Sequence, residues 1–255
     1  MNLPLRNLSL LMLLVLTACA APPVRNPMAQ WAASPNEEAR RPVLIVIHAT
    51  EQNGVARSLH TLRTGNRGGP VSAHYLVGRE GDLYQLVADE RRAWHAGSGR
   101  WGTITDLNSG SIGIELDNDG SADFPQAQID TLLRLLEDLC ARLNIPRRQI
   151  IAHSDLAPTR KRDPNARFPW HTLAQSGFGP WPAADSPPAP EGFDFWLAMA
   201  AFGYPLEEPE AALRAFRRRF RAMEGNDAPP GAEDARILHS LVEPLRPPRA
   251  AKPAD

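Results

Sequence analysis

The sequence predicts an α/β fold, a mixed central β-sheet flanked by helices, followed by a small three-helix C-terminal domain. Three observations carry this. Val43-Leu44-Ile45-Val46-Ile47 is a run of five apolar, mostly β-branched residues, the pattern of a strand covered on both faces. Between Gln126 and Leu143, the residues Ile129, Leu132, Leu133, Leu136, Leu139, Cys140 and Leu143 recur at spacings of three and four, giving one broad apolar helix face. A proline-rich stretch from Gly179 to Pro190 then separates this region from three further helix-like segments.

In chain order, the elements begin after an N-terminus that reads as a leader. Arg6 supplies a positive charge, Leu8 to Val15 is apolar apart from Ser9, and Leu16-Thr17-Ala18-Cys19 resembles a bacterial lipobox. The apolar run is shorter than the roughly 20 residues that span a bilayer. Residues 1–18 are therefore expected to be a lipoprotein signal peptide and Cys19 the lipidated residue. Ala20 lacks the acidic character associated with inner-membrane retention, so the expected location is the outer membrane, facing the periplasm. Residues 19–41, rich in Ala, Pro, Asn and charge, are expected to be a tether.

The first domain is expected over residues 42–181. After the strand at Val43 come a helix near Ala56 to Arg63 and a glycine-rich turn. Ser72 to Gly78 and Asp82 to Val87 read as two strands joined by a Gly-containing turn. Gly97 to Gly110, with Trp101, reads as a long polar loop, and Ser111 to Leu116 alternates as a strand. Pro146 stops the long helix, and the short strand Gln149 to Ala152 follows. Residues 182–191 form the linker. Phe193 to Phe202, Glu208 to Met223 and Glu233 to Val242 are the helices of a second domain over 192–243, with a disordered tail over 244–255.

Composition excludes some functions. The 255 residues are 43% hydrophobic and 22% charged, with a net charge of −1, so no electrostatic argument points to nucleic acid. Only Cys19 and Cys140 are present, and with Cys19 committed to lipid no internal disulfide is available. Cys140 lies on the apolar side of its helix and reads as a small core residue.

The chemistry concentrates at strand ends. His48 follows the apolar strand, and His153 holds the matching place after Gln149 to Ala152. An unpartnered imidazole there is costly to bury. The loop after His153 supplies Lys161 and two carboxylates, Asp155 and Asp163, of which either could complete a metal site or serve as a cap or turn starter. Two histidines and a carboxylate hold a catalytic zinc with a fourth position open. A nearby lysine suits an oxyanion, although Arg160-Lys161-Arg162 also has the form of a solvated basic loop. Glu115, between Ile114 and Leu116, must either pair with a cation or act as a base. Metal-assisted hydrolysis is the reaction class these residues point to.

Five segments together resemble a known family: Val46-Ile47-His48, Val71 to Val77, Arg92-Ala93-Trp94-His95-Ala96-Gly97, Ser111 to Leu116, and His153-Ser154-Asp155-Leu156-Ala157-Pro158 through Asp163-Pro164. In that order, over roughly Arg41 to Trp181, the chain is similar to the type-2 zinc N-acetylmuramoyl-L-alanine amidases, and in particular to their outer-membrane lipoprotein (AmiD-type) members. The resemblance implies the peptidoglycan amidase fold and one zinc ion held by His48, His153 and Asp163. It also implies Glu115 as catalytic base and Lys161 as the oxyanion group, with Trp94, His95 and His74 near the substrate. The implied partner is peptidoglycan or muropeptides, with the protein acting as a monomer. The C-terminal helices resemble, more weakly, a peptidoglycan-binding module. Asn165 departs from the glycine expected after Asp163-Pro164. Two other functions fit the same fold class: a non-catalytic peptidoglycan receptor, which would lack zinc ligands, and a zinc peptidase cutting within the stem peptide.

Overall fold

The computed structural model describes residues 25–39 and 42–245. The expected signal peptide, Cys19 and all but the first two residues of the expected tail (244–255) lie outside the described residues. The elements are β1 (Gln30–Trp31), β2 (Glu37–Ala39), β3 (Leu44–Ala49), α1 (Val55–Thr64), β4 (Tyr75–Val77), β5 (Leu83–Gln85), β6 (Arg91–Ala93), α2 (Leu107–Gly110), β7 (Ser111–Leu116), α3 (Gln126–Arg142), β8 (Ile150–Ala152), α4 (His153–Leu156), α5 (Trp170–Gln175), α6 (Phe195–Phe202), α7 (Pro209–Arg221) and α8 (Ala232–Val242). The sheet is mixed, in the order β1-β5-β4-β7-β3-β8, and β2 pairs with β6 in a separate ribbon.

The consecutive apolar residues of β3 follow from its place in the middle. It lies parallel between β7 and β8, and all six of its residues are buried. Ile45 and Ile47 face a core closed by Ile129, Leu132, Leu136 and Leu139 of α3. Leu44 and Val46 face the opposite way, into a second core shared with Met199, Phe216 and Leu238 of the C-terminal helices. The helical domain therefore covers one face of the sheet region. No described helix is long and apolar enough to cross a membrane.

Two expectations need correction. The tether does not extend to residue 41, because residues 25–39 join the domain. β1 pairs in parallel with β5 at the sheet edge, and the Asn26 backbone N–H donates to Gln85 Oε1 at 2.9 Å. Strands of two and three residues carry too few positions to show a period of two, so composition dominated the sequence reading. The loop from Gly97 to Gly110 is not simply polar surface either. Trp101 is buried under Gly203, against the rings of Phe202 and Tyr204. A Cβ on Gly203, which has φ +131°, would lie 2.6 Å from that indole, so glycine is required there for both conformation and space.

Candidate active site

Three parallel strands side by side align their C-terminal ends, where α/β sheets gather ligand sites. The register sets His48 of β3 directly beside Glu115 of β7, and β8 delivers His153 one residue past its end. Asp163 is brought back to the same place because Ser154 N–H donates to its carbonyl at 2.9 Å, closing the loop that begins at His153.

The facing atoms form a compact triangle. His48 Nδ1 is 2.8 Å from His153 Nδ1 and 3.5 Å from Asp163 Oδ2, and His153 Nδ1 is 3.0 Å from that oxygen. Ligands held ~2.0–2.1 Å from a tetrahedral zinc stand ~3.3 Å from one another, so this triangle is one face of such a tetrahedron. The remaining ring nitrogens are engaged elsewhere, as in metal-ligating histidines generally. His153 Nε2 donates to the Ala96 carbonyl at 3.0 Å. His48 Nε2 lies 3.0 Å from His95 Nδ1, and His95 Nε2 lies 3.3 Å from Ser111 Oγ, whose hydroxyl donates to the Leu107 carbonyl. With Nδ1 of His48 left bare toward the metal face, its Nε2–H donates to His95, and His95 in turn donates to Ser111.

Electrostatics agree with that face. Burial and the nearby His153 lower the His48 pKa to about 4, so the ring stays neutral and ready to ligate. Burial alone would push the Asp163 carboxyl up, but His153 and His48 hold it well below the usual range, ionised. Burial, with the charge of Asp163 next, raises Glu115 to about 8. Its Oε2 is buried without a hydrogen-bond partner, and among the described residues no cation pairs with it. The Glu115 side chain borders a small cavity beside the metal face.

That cavity, about 120 Å³, is lined by Glu115, His153, Asp163 and Lys161 together with Trp94 and His95. It adjoins a groove of about 1120 Å³ that runs past Arg167, Trp170 and Trp181 to Arg221 and Glu224 of the helical domain. Ala49, Glu51 and Asp163 line both. Glu51, with φ +51°, stands exposed where the two meet; the Asn53-Gly54 turn signal just after it was the sequence cue to this bend.

The predicted residues fall into two groups. His48, His153, Asp163, Glu115, Lys161, Trp94 and His95 converge, while His74 does not. Its ring is fully buried in the sheet, where Nδ1 accepts from Gly113 N–H at 2.9 Å and Nε2 donates to the Arg91 carbonyl at 3.0 Å. The expected substrate contact of His74 is therefore corrected to a bond that ties β7 to β6. The backbone supplies the reason: His74 immediately precedes β4, which pairs with β7, and its own N–H donates to the Gly113 carbonyl at 3.0 Å. His95 also does more than line the cavity, since it supports His48. Gly113 makes room for it, because a Cβ there would come within 2.4 Å of the His95 ring. Asp155, the rival carboxylate, points away from the metal face. Its Oδ2 accepts from Ala152 N–H at 2.9 Å, and its Oδ1 accepts from the Tyr204 hydroxyl at 2.7 Å.

A family model described as N-acetylmuramoyl-L-alanine amidase matches residues 38–166. The chain belongs to this amidase family. It is 35% identical over 238 residues to N-acetylmuramoyl-L-alanine amidase AmiD of Escherichia coli K12, covering 78% of this chain and 82% of that one. A solved complex of the E. coli AmiD with anhydro-N-acetylmuramic acid-L-Ala-D-γ-Glu-L-Lys superposes with a TM-score of 0.71 at 34% identity, covering 81% of this chain and 90% of that one. AmpDh3 from Pseudomonas aeruginosa superposes with a TM-score of 0.70 at 30% identity, covering 81% and 93%. This AmiD-type amidase thus shares with its relatives both the mixed sheet and the C-terminal helical region, and its donor set fits the zinc of the family.

Proposed function

We propose that the protein hydrolyses the amide joining the lactyl group of N-acetylmuramic acid to L-alanine, in peptidoglycan or in muropeptides released from it, with one zinc ion. The observation that carries this is the triangle of His48, His153 and Asp163 with Glu115 registered beside it on the adjacent strand. Zinc held there would polarise the amide carbonyl and acidify a water.

The chain's own residues do the rest. Glu115 takes the proton from the attacking water and returns it to the departing amine of L-alanine. Lys161, lining the same cavity, faces the oxygen that gains charge as the carbonyl carbon becomes tetrahedral. His95 keeps His48 in the tautomer that leaves Nδ1 bare. Trp94 borders the cavity as a wall for the substrate.

The test is digestion of purified muropeptides with and without a chelator, read by mass spectrometry. Release of a peptide with L-alanine at its N-terminus, abolished by chelation, is expected. Cleavage within the stem peptide would show a peptidase instead, and binding without cleavage a receptor.

The proposal extends to location. The lipobox-like Leu16-Thr17-Ala18-Cys19 supports lipid attachment at Cys19 and a location on the periplasmic side of the outer membrane. Metabolic labelling with a clickable fatty acid, compared between the native chain and Cys19→Ala, tests the attachment.

A further inference from the structure

One side chain of the helical domain grips both ends of the segment that builds the metal site. Arg219, on α7, is buried, as is Asp155. Its Nη2 donates to the Ile150 carbonyl of β8 at 2.7 Å, and its Nη1 donates to Asp155 Oδ2 at 2.5 Å. The guanidinium also lies 4.4 Å above the ring of Trp170, at the start of α5. Ile150 and Asp155 bracket His153 closely, and Trp170 comes seven residues after Asp163. Between these three points of attachment lie two of the three zinc ligands and Lys161. Tyr204, after α6, closes the arrangement by donating to the other Asp155 oxygen.

A buried ion pair is weak evidence for stability, because apolar residues of the same volume often serve equally well. What an arginine adds is geometry: a rigid planar fork that fixes several partners at once and stacks on an aromatic face. Here those partners are a strand carbonyl, a carboxylate on α4 and a ring on α5, all within the segment from Ile150 to Trp170. We propose that Arg219, assisted by Tyr204, is a positioning residue for the zinc centre, so that the C-terminal helical domain completes the active site from behind. It acts through Asp155 and the β8 backbone at Ile150 and Ala152, from behind the metal face.

The inference rests on the zinc reading of the site, and its test measures zinc directly. Zinc dissociation constants of the full chain are determined by competition with a chromophoric chelator, alongside the Tm of the metal-free protein and the kcat and KM for a muropeptide. Arg219→Met is expected to raise the zinc dissociation constant ~10-fold, the lower end of what loss of support around a metal ligand costs. At saturating zinc, kcat falls while KM stays within about twofold, since no substrate contact is lost. Arg219→Met leaves the Asp155 charge buried without its cation, held only by Ala152 N–H and the Tyr204 hydroxyl. The double variant Asp155→Asn/Arg219→Met removes that penalty, so its metal-free Tm recovers while its zinc affinity remains weak. Tyr204→Phe deletes a single hydroxyl and shifts zinc affinity in the same direction by a smaller factor, about threefold. Dissociation constants within twofold of the native chain in Tyr204→Phe and in the folded Arg219 variants, with changes confined to Tm, would overturn the proposal. A native chain that binds no zinc would instead overturn the reading of the site itself.

Discussion

Glu115 offers a prediction whose sign and size both follow from its surroundings. In the metal-free protein its carboxyl is pushed from 4.5 to about 8, first by burial and then by Asp163. Each pH unit of such a shift corresponds to ~1.4 kcal/mol, so the ceiling is ~5 kcal/mol. Because Glu115 opens onto a cavity that water reaches, about 2–3 kcal/mol is the better expectation. Between pH 4.5 and 8 the folded chain holds a proton that the unfolded chain has released. This contribution is therefore fully present below pH 4.5 and is lost as pH rises through 8. Glu115→Gln replaces the protonated form with a permanently neutral one. Urea unfolding of metal-free native and Glu115→Gln proteins should give nearly equal stabilities at pH 4, with the variant more stable by that amount at pH 9. The same variant should bind zinc one to one yet lose ~10²–10⁴-fold in kcat, the usual contribution of a general base. Parallel stability curves from pH 4 to pH 9 would refute the burial argument. Turnover at the native rate would refute the assignment of Glu115 as base.

Other perturbations test other parts of the site. Asp163→Ala removes one corner of the triangle and should abolish stoichiometric zinc binding, measured by atomic emission, so that zinc added after chelation restores the native enzyme but not the variant. His95→Ala leaves His48 Nε2 unpartnered and should weaken zinc ~10–100-fold in a chelator competition, whereas a purely substrate-binding His95 would raise KM alone. Trp101→Ala empties the seat under Gly203 and should cost about 3–5 kcal/mol in urea unfolding, with zinc stoichiometry unchanged in the folded fraction.

Much of this site is legible in the sequence because it hangs on strands whose pattern is unmistakable. Leu44 to Ile47 is apolar throughout since both faces of β3 are covered, and that placed His48 at a sheet end, while Val43 lies before the strand and is exposed. The alternation of Ser111 to Leu116 located Glu115 with the strand's bounds as observed. What stayed hidden depends on residues far apart in the chain. Trp101 looks like loop until Gly203 and Tyr204 are folded over it, and Asp155 does cap α4 as its position suggests, but nothing near it in the chain shows that Arg219, 64 residues later, also holds it. His95 was placed beside the substrate, yet its bond to His48 rests on the gap at Gly113, and a glycine inside an apolar strand is a recognised sign of close approach. β1, β2 and β6 are too short to carry any period, and only pairing reveals them.

The anchoring of Asn26 has a consequence for where the enzyme can work. Its backbone N–H is held by Gln85 and its side chain by Asp138 on α3, so the chain is fixed to the folded body from there onward. With a lipid on Cys19, only about six residues are left as leash, and even fully stretched they reach ~20 Å. A domain of this size is ~35–40 Å across, so the leash is shorter than the body it holds. Under the proposed attachment, such an enzyme reaches only the layer of wall nearest its membrane. Inserting a flexible segment after Ala20 would widen that zone without touching the chemistry.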